Sequence, residues 1–236
     1  TLRMTQSQTI EQRINGQAVP SAGGVTTAAT TEITVESADA GQYVMTSITS
    51  GSEVIEAPTP GAAAQAEAAM AELIGIGNRL TLDDRGRVLD SEPIGLEGLD
   101  NAMAEQLLGG AADQIASPLP DEAVGVGARW EVVQRIPLAG LDVEQVTVYE
   151  LVSIEGSVIE MSVTGNQLVA AGSIMDAQGI PAEVVSWDLD ITGSLTQDLT
   201  SMVPNSVIEV SGTQAFQADG VEIEQDLSTS TTIEPG

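Results

Sequence analysis

Apolar and polar residues alternate along most of this 236-residue chain, and this period of two constrains its fold more than any other feature. Between Leu2 and Ile14 every odd-numbered residue is polar, whereas the apolar residues stand at even positions. The same alternation returns around 185–192, where Asp188 and Asp190 are separated by Leu189. Successive side chains of a β-strand point to opposite faces of a sheet. The pattern therefore predicts strands with one dry face and one wet face.

Tight turns separate these alternating runs. Asn15-Gly16 and Asp219-Gly220 are typical of two-residue hairpins, and Asp39-Ala40-Gly41 marks another turn. Further strands are predicted near 25–36, 42–56, 127–136, 142–154, 157–169 and 206–217. Strands of about twelve residues run ~40 Å, so we expect a long curled antiparallel sheet or half-barrel.

Two segments depart from the period of two. Thr59-Pro60 is a suitable N-cap and first helical position, and the apolar spacing after it predicts a helix over 60–77. A second helix is predicted over 99–116, with Asp100 as its cap. The expected fold class is mainly β with two helices (α+β), with the helices packed on the concave face of the sheet.

The segment 117–123 contains two prolines and cannot continue a helix. It predicts a soft internal boundary between an N-terminal half of hairpins and helices and a C-terminal antiparallel meander. Because both sides resemble halves of one sheet, we expect a single domain over 1–236.

Charge excludes several classes of function. The chain has seven arginines, no lysine and no histidine against 35 acidic residues, which gives a net charge of −28. Nucleic-acid binding needs a basic face, so it is excluded. Cysteine is also absent, so no group titrates near neutrality without a large pKa shift. We therefore expect no enzyme activity, no catalytic residue, no metal site and no cofactor.

Two pairs of acidic residues could in principle bind calcium or act as a catalytic carboxylate pair, but their spacing and neighbouring residues do not fit either site. Asp83-Asp84 lacks the alternating oxygen ligands of a calcium loop and stands next to Arg85 and Arg87, so a hairpin turn is the better interpretation. Asp188 and Asp190 lie two residues apart on one strand face, at the separation of a glycosidase pair. Charged strand faces produce such pairs routinely, and a solvated face is favoured.

The acidity also bears on the compartment. Self-repulsion at −28 is relieved by salt, which favours a marine or halophilic, extracytoplasmic setting over that of an ordinary acidic protein. No apolar run is long enough to span a membrane. Because the sequence opens directly in a strand pattern, we expect any signal or lipid anchor to lie in a segment outside it.

A resemblance supports this location. From Pro118 to Trp130 the sequence passes from a proline-rich linker through a short apolar segment and Gly127 to a tryptophan that opens a strand. This order resembles a loosely defined family of uncharacterised bacterial exported proteins and lipoproteins, which implies the cell envelope and no agreed activity. The predicted architecture is also similar to the half-barrels of periplasmic lipoprotein carriers and lipid-binding lipoproteins.

The predicted helices are slim, so they fill little volume against a curled sheet. We expect an apolar cleft between helices and sheet that holds a small apolar molecule, a lipid or a segment of an envelope protein partner. The expected lining residues are Met70, Leu73, Met103, Leu107, Trp130 and Trp187. The predicted function is a non-catalytic binding protein of the cell envelope. The alternative is a structural or assembly subunit of a surface layer, appendage or envelope complex.

Overall fold

The structure is a computed structural model that describes residues 1–19, 23–96, 119–138, 140–177, 180–201 and 203–236. Strands account for 71% of it. In chain order they are β1 (Leu2–Ile14), β2 (Gln17–Val19), β3 (Val25–Asp39), β4 (Gln42–Glu56), β5 (Gly77–Asp83), β6 (Val88–Ile94), β7 (Arg129–Leu138), β8 (Leu141–Glu155), β9 (Val158–Leu168), β10 (Ile174–Ala177), β11 (Ile180–Asp198), β12 (Asn205–Ala218) and β13 (Val221–Pro235). A helix, α1 (Pro60–Ala71), lies between β4 and β5.

All thirteen strands belong to one sheet with the order β6-β5-β4-β3-β1-β13-β12-β11-β9-β8-β7, while β2 pairs with β1 and β10 with β11. Each pairing is antiparallel. The first strand lies near the centre, between β3 and the last strand, with Leu2 opposite Pro235. The prediction of a mainly β, antiparallel fold is confirmed.

The turns have the backbone that their sequences predict. Asn15 and Gly16 have φ angles of 49° and 75°, and Asp219 and Gly220 have φ angles of 49° and 78°. Positive φ at both central residues matches the right-handed twist of the flanking strands. Asn15 also accepts a hydrogen bond from the backbone N–H of Glu222, at 3.0 Å, which ties two neighbouring hairpin ends together.

The expected half-barrel is not supported, because the sheet is open. Its two end strands, β6 and β7, do not pair with each other in the described part of the chain. Strand length makes curling feasible, but bulges and glycine positions set the curvature of a sheet. The alternation of polar and apolar residues predicts how long the strands are, but it does not predict how strongly the sheet curves.

The first helix begins where predicted and ends early. Thr59 caps it, since its hydroxyl accepts a hydrogen bond from the Ala62 N–H at 3.1 Å. The prediction that it extends to residue 77 is wrong, because α1 ends at Ala71 and turn hydrogen bonds from Leu73 and Ile74 follow it. Gly75, with a φ of 86°, then donates its N–H to Thr49 O of β4. No residue of α1 is buried. The second predicted helix, 99–116, lies outside the described residues.

Buried side chains form three clusters along the sheet. The first cluster contains Leu151, Ile159, Met161, Val163, Ile191 and Leu195 on β8, β9 and β11. The second contains Leu141, Val143, Ala182, Val184 and Phe216, and the third contains Met45, Leu80 and Leu82 on β4 and β5. Within the described ranges, no helix is both long and apolar enough to cross a membrane.

Candidate functional site

A cleft of about 590 Å³ lies at the outer edge of β7, and we call it the β7 cleft. Three segments line it: the end of the β5–β6 turn, the segment that precedes β7, and β7 itself. The lining residues are Gly86, Arg87, Val88, Leu119, Pro120, Asp121, Trp130, Glu131, Val132, Val133 and Gln134. Val88 opens β6, so both end strands of the sheet border this cleft.

The β5–β6 turn is organised by one carboxylate. Asp83 Oδ1 accepts the backbone N–H groups of Arg85 and Arg87 at 2.9 Å each, and Oδ2 accepts Arg87 Nε at 2.6 Å. Partial burial would raise the pKa of Asp83. The hydrogen bonds from Arg87 and Arg85, with the charge of Arg87, outweigh it and hold the pKa below its usual value. The turn is therefore fixed most firmly when Asp83 is ionised.

The segment 119–121 is anchored to this turn. The Leu119 N–H donates to Arg85 O at 2.9 Å. Asp121 Oδ1 lies 2.5 Å from Arg85 Nη1 and 3.2 Å from Arg87 Nη1. One exposed carboxylate thus binds two of the seven arginines, and one wall of the cleft is held in place.

The aromatic residue that lines the cleft is Trp130. Trp130 stacks on Tyr149 of β8, with ring centroids 5.7 Å apart and planes inclined by 16°. Both rings and Leu119 pack against the first cluster. Stacked rings over a buried aliphatic cluster form a rigid surface that suits an apolar group.

The cleft follows the strand edge rather than one face of the sheet. Five consecutive residues of β7, 130–134, line it. In a strand these residues alternate between faces, and Val133 is 53% exposed. Both faces of the strand and its outer edge therefore border the same space.

All seven arginines are already paired. Each of them lies within 4 Å of at least one carboxylate: Arg3 with Glu53, Arg13 with Asp226, Arg79 with Glu36, Arg85 with Asp84 and Asp121, Arg87 with Asp83 and Asp121, Arg129 with Glu150, and Arg135 with Asp142. The remaining acidic residues therefore have no arginine left to pair with. The cleft therefore suits a neutral or cationic occupant better than an anion.

The structure separates the side chains that the sequence predicts together. Met70 and Leu73 are half-buried around the end of α1, which lies beside β4 through the hydrogen bond from Ser52 Oγ to Met70 O. Trp130 lies in the β7 cleft. Trp187 packs in the second cluster, edge-on to Phe216 with centroids 6.3 Å apart. Met103 and Leu107 lie outside the described residues, so the cleft between two helices stays a prediction.

The polar wall of the cleft is not predicted by the sequence. Two of only seven arginines stand at 85 and 87, directly after Asp83-Asp84, and this clustering is the available signal. The hairpin turn predicted there is present, since β5 ends at Asp83 and β6 begins at Val88. The contact with Asp121 joins positions far apart in sequence, which period and spacing do not reveal.

No protein-family model and no curated protein matches the chain. The described residues contain no group of three or more acidic side chains placed to hold a metal ion. The geometry of the cleft is therefore the basis for assigning a function.

Proposed function

We propose that this chain is a non-catalytic binding protein that holds an apolar ligand or the segment of a partner in the β7 cleft. The observation that carries the proposal is that Trp130, held by its stacking on Tyr149, lines a space of about 590 Å³, a volume within the range of small-molecule sites. The ion-paired walls would keep this space shaped when it is empty.

The proposed location is extracytoplasmic, at the cell surface or in the envelope. Support comes from the charge of −28 and the absence of cysteine and lysine. A surface with so many acids tolerates salt well, in keeping with a marine or halophilic source.

A structural or assembly subunit is the second candidate. It is favoured by exposed aliphatic side chains on both end strands, Leu89 on β6 at 51% and Val133 on β7 at 53%. Unpaired edges with exposed aliphatic groups can join sheets of neighbouring molecules. Sedimentation of the full chain over a range of concentrations would show oligomers if assembly is the function.

Fluorescence of Trp130 tests the binding function. In a Trp187→Phe background Trp130 is the only tryptophan, and a titration with an apolar dye should change its emission saturably. The Trp130→Phe variant, which keeps only Trp187 in the second cluster, is the matched control and should show no saturable change. Absence of saturable binding in both variants would contradict the proposal.

A further inference from the structure

The outer edge of β7 offers a template for another strand. β7 is the last strand in the sheet order, and among the described strands it pairs only with β8. The β7 cleft runs along this edge at 131–134. The N–H and C=O groups on the outer side of an edge strand can pair with an extended chain.

The dimensions of the cleft suit one extended segment. The five residues 130–134 span about 17 Å, at ~3.4 Å per residue. The opposite wall, 86–88 with 119–121, is fixed by the Arg85 and Arg87 contacts to Asp121. Because this wall and β7 border the same space, an added strand would lie between two sides, and we expect a single extended segment to fit there better than the edge of a second folded sheet.

The two sides of the cleft differ in chemistry. Trp130 and Val132 share the face of the first cluster, while Glu131 and Val133 lie on the opposite face. An added strand presents its own residues alternately to these faces. Apolar residues of the occupant would contact Trp130 and Val132, and the occupant residues that alternate with them would lie on the side of Glu131.

The charge around the cleft determines which residues of the occupant are favourable beside Glu131. Glu131 is exposed, and the exposed carboxylate of Asp121 also borders the cleft. Because every arginine is already paired with an acid and the net charge is −28, an acidic segment would be repelled. Asp121 is already bound to Arg85 and Arg87, so a basic segment would gain its attraction at Glu131.

We propose that the β7 cleft binds an extended peptide segment in which apolar residues alternate with lysine or arginine, and that the segment adds to β7 as a further strand. This inference rests on the proposed binding function and names its partner class.

Short synthetic peptides test the proposal against the full chain carrying Trp187→Phe. One alternates valine and lysine, a second alternates valine and glutamate, and a third has the composition of the first in two blocks. A fourth is the first peptide with N-methyl groups on alternate residues, which removes backbone donors from one edge. We expect the first peptide to bind saturably and each of the other three to bind at least tenfold more weakly.

Protein variants locate the site. Glu131→Gln should raise the dissociation constant of the valine–lysine peptide about two- to fivefold, the size of an exposed ion pair. Trp130→Ala should raise the dissociation constant of this peptide at least tenfold. Calorimetry measures the dissociation constant for each variant. Glu209→Gln, at an exposed acid on β12, is the matched control and should leave it unchanged. Raising NaCl should weaken binding.

The outcomes separate the two proposals. Saturable dye binding at Trp130 with no peptide bound would overturn the peptide inference and leave the binding function standing. Absence of both would overturn both. Equal affinity for the lysine and glutamate peptides, or for the alternating and block peptides, would contradict the charge pattern. Equal affinity for the N-methylated peptide would contradict strand addition.

Discussion

Gly212 is a position where the chain needs glycine for two separate reasons. Its φ is 149°, a region that L side chains rarely adopt, and a Cβ there would lie 2.0 Å from Asp188 O on β11. We expect Gly212→Ala to lower the free energy of unfolding by about 3 kcal/mol, measured by urea denaturation. Gly51→Ala is the control, because its Cβ would meet only Thr30 at 3.9 Å, and it should change stability by less than about 1 kcal/mol. Similar losses at both sites would contradict the argument.

Asp83 sets the pH response of the β5–β6 turn. The pKa of Asp83 is lowered in the folded chain. Its ionised carboxylate therefore stabilises the fold at a pH above its unfolded-state pKa of about 3.9, and this stabilisation is lost as the pH falls through its folded-state pKa. Asp83→Ala should cost about 1 kcal/mol at pH 7 and flatten the loss of stability below about pH 4. Thermal melts between pH 7 and 2.5 measure both effects.

Asp84→Ala is the matched control for this turn. Asp84 is 67% exposed and its ion pair with Arg85 is 3.9 Å long, so its removal should change stability by about 0.5 kcal/mol or less. If Asp84→Ala and Asp83→Ala behave alike at neutral and acid pH, the hydrogen bonds of Asp83 do not organise the turn.

At the scale of the element, the two strands of the β5–β6 hairpin carry leucines in opposite environments. Leu80 is fully buried in the third cluster, whereas Leu89 is 51% exposed. Leu80→Ala should cost about 2 to 5 kcal/mol through lost burial and a residual cavity, and Leu89→Ala about 0.5 kcal/mol or less. Chemical denaturation of both variants checks this. A small loss for Leu80→Ala would show that the third cluster collapses around the missing side chain.

The elements also show what the sequence can and cannot predict. Strands, hairpin turns and the start of α1 depend on local chemistry, such as Asn15-Gly16 or the Thr59 cap, and their prediction is confirmed. The path of the chain after α1 depends on the hydrogen bond from the Gly75 N–H to Thr49 O. The polar wall of the site depends on Asp121 reaching Arg85. Such contacts between distant positions leave no periodic trace in one sequence.

At the scale of the whole molecule, net charge dominates. With every arginine paired and −28 remaining, screening should stabilise the fold, and the thermal midpoint should rise as NaCl increases from low millimolar to about 1 M. The same series near pH 4.5, where many carboxylates are protonated, is the control and should show a smaller rise. A flat or falling midpoint at pH 7 would contradict the halophilic interpretation.

The pairing of the first and last strands has a mechanical consequence. Leu2 lies opposite Pro235, and the Gly236 N–H donates to Thr1 O at 3.0 Å, so both chain ends leave the sheet at the same end of the β1–β13 pair. A force that pulls these ends apart would load the interstrand hydrogen bonds one after another, because they lie perpendicular to antiparallel strands. The molecule should therefore unzip at low force along its centre. An attachment at both ends would make this pair of strands the weak line under tension.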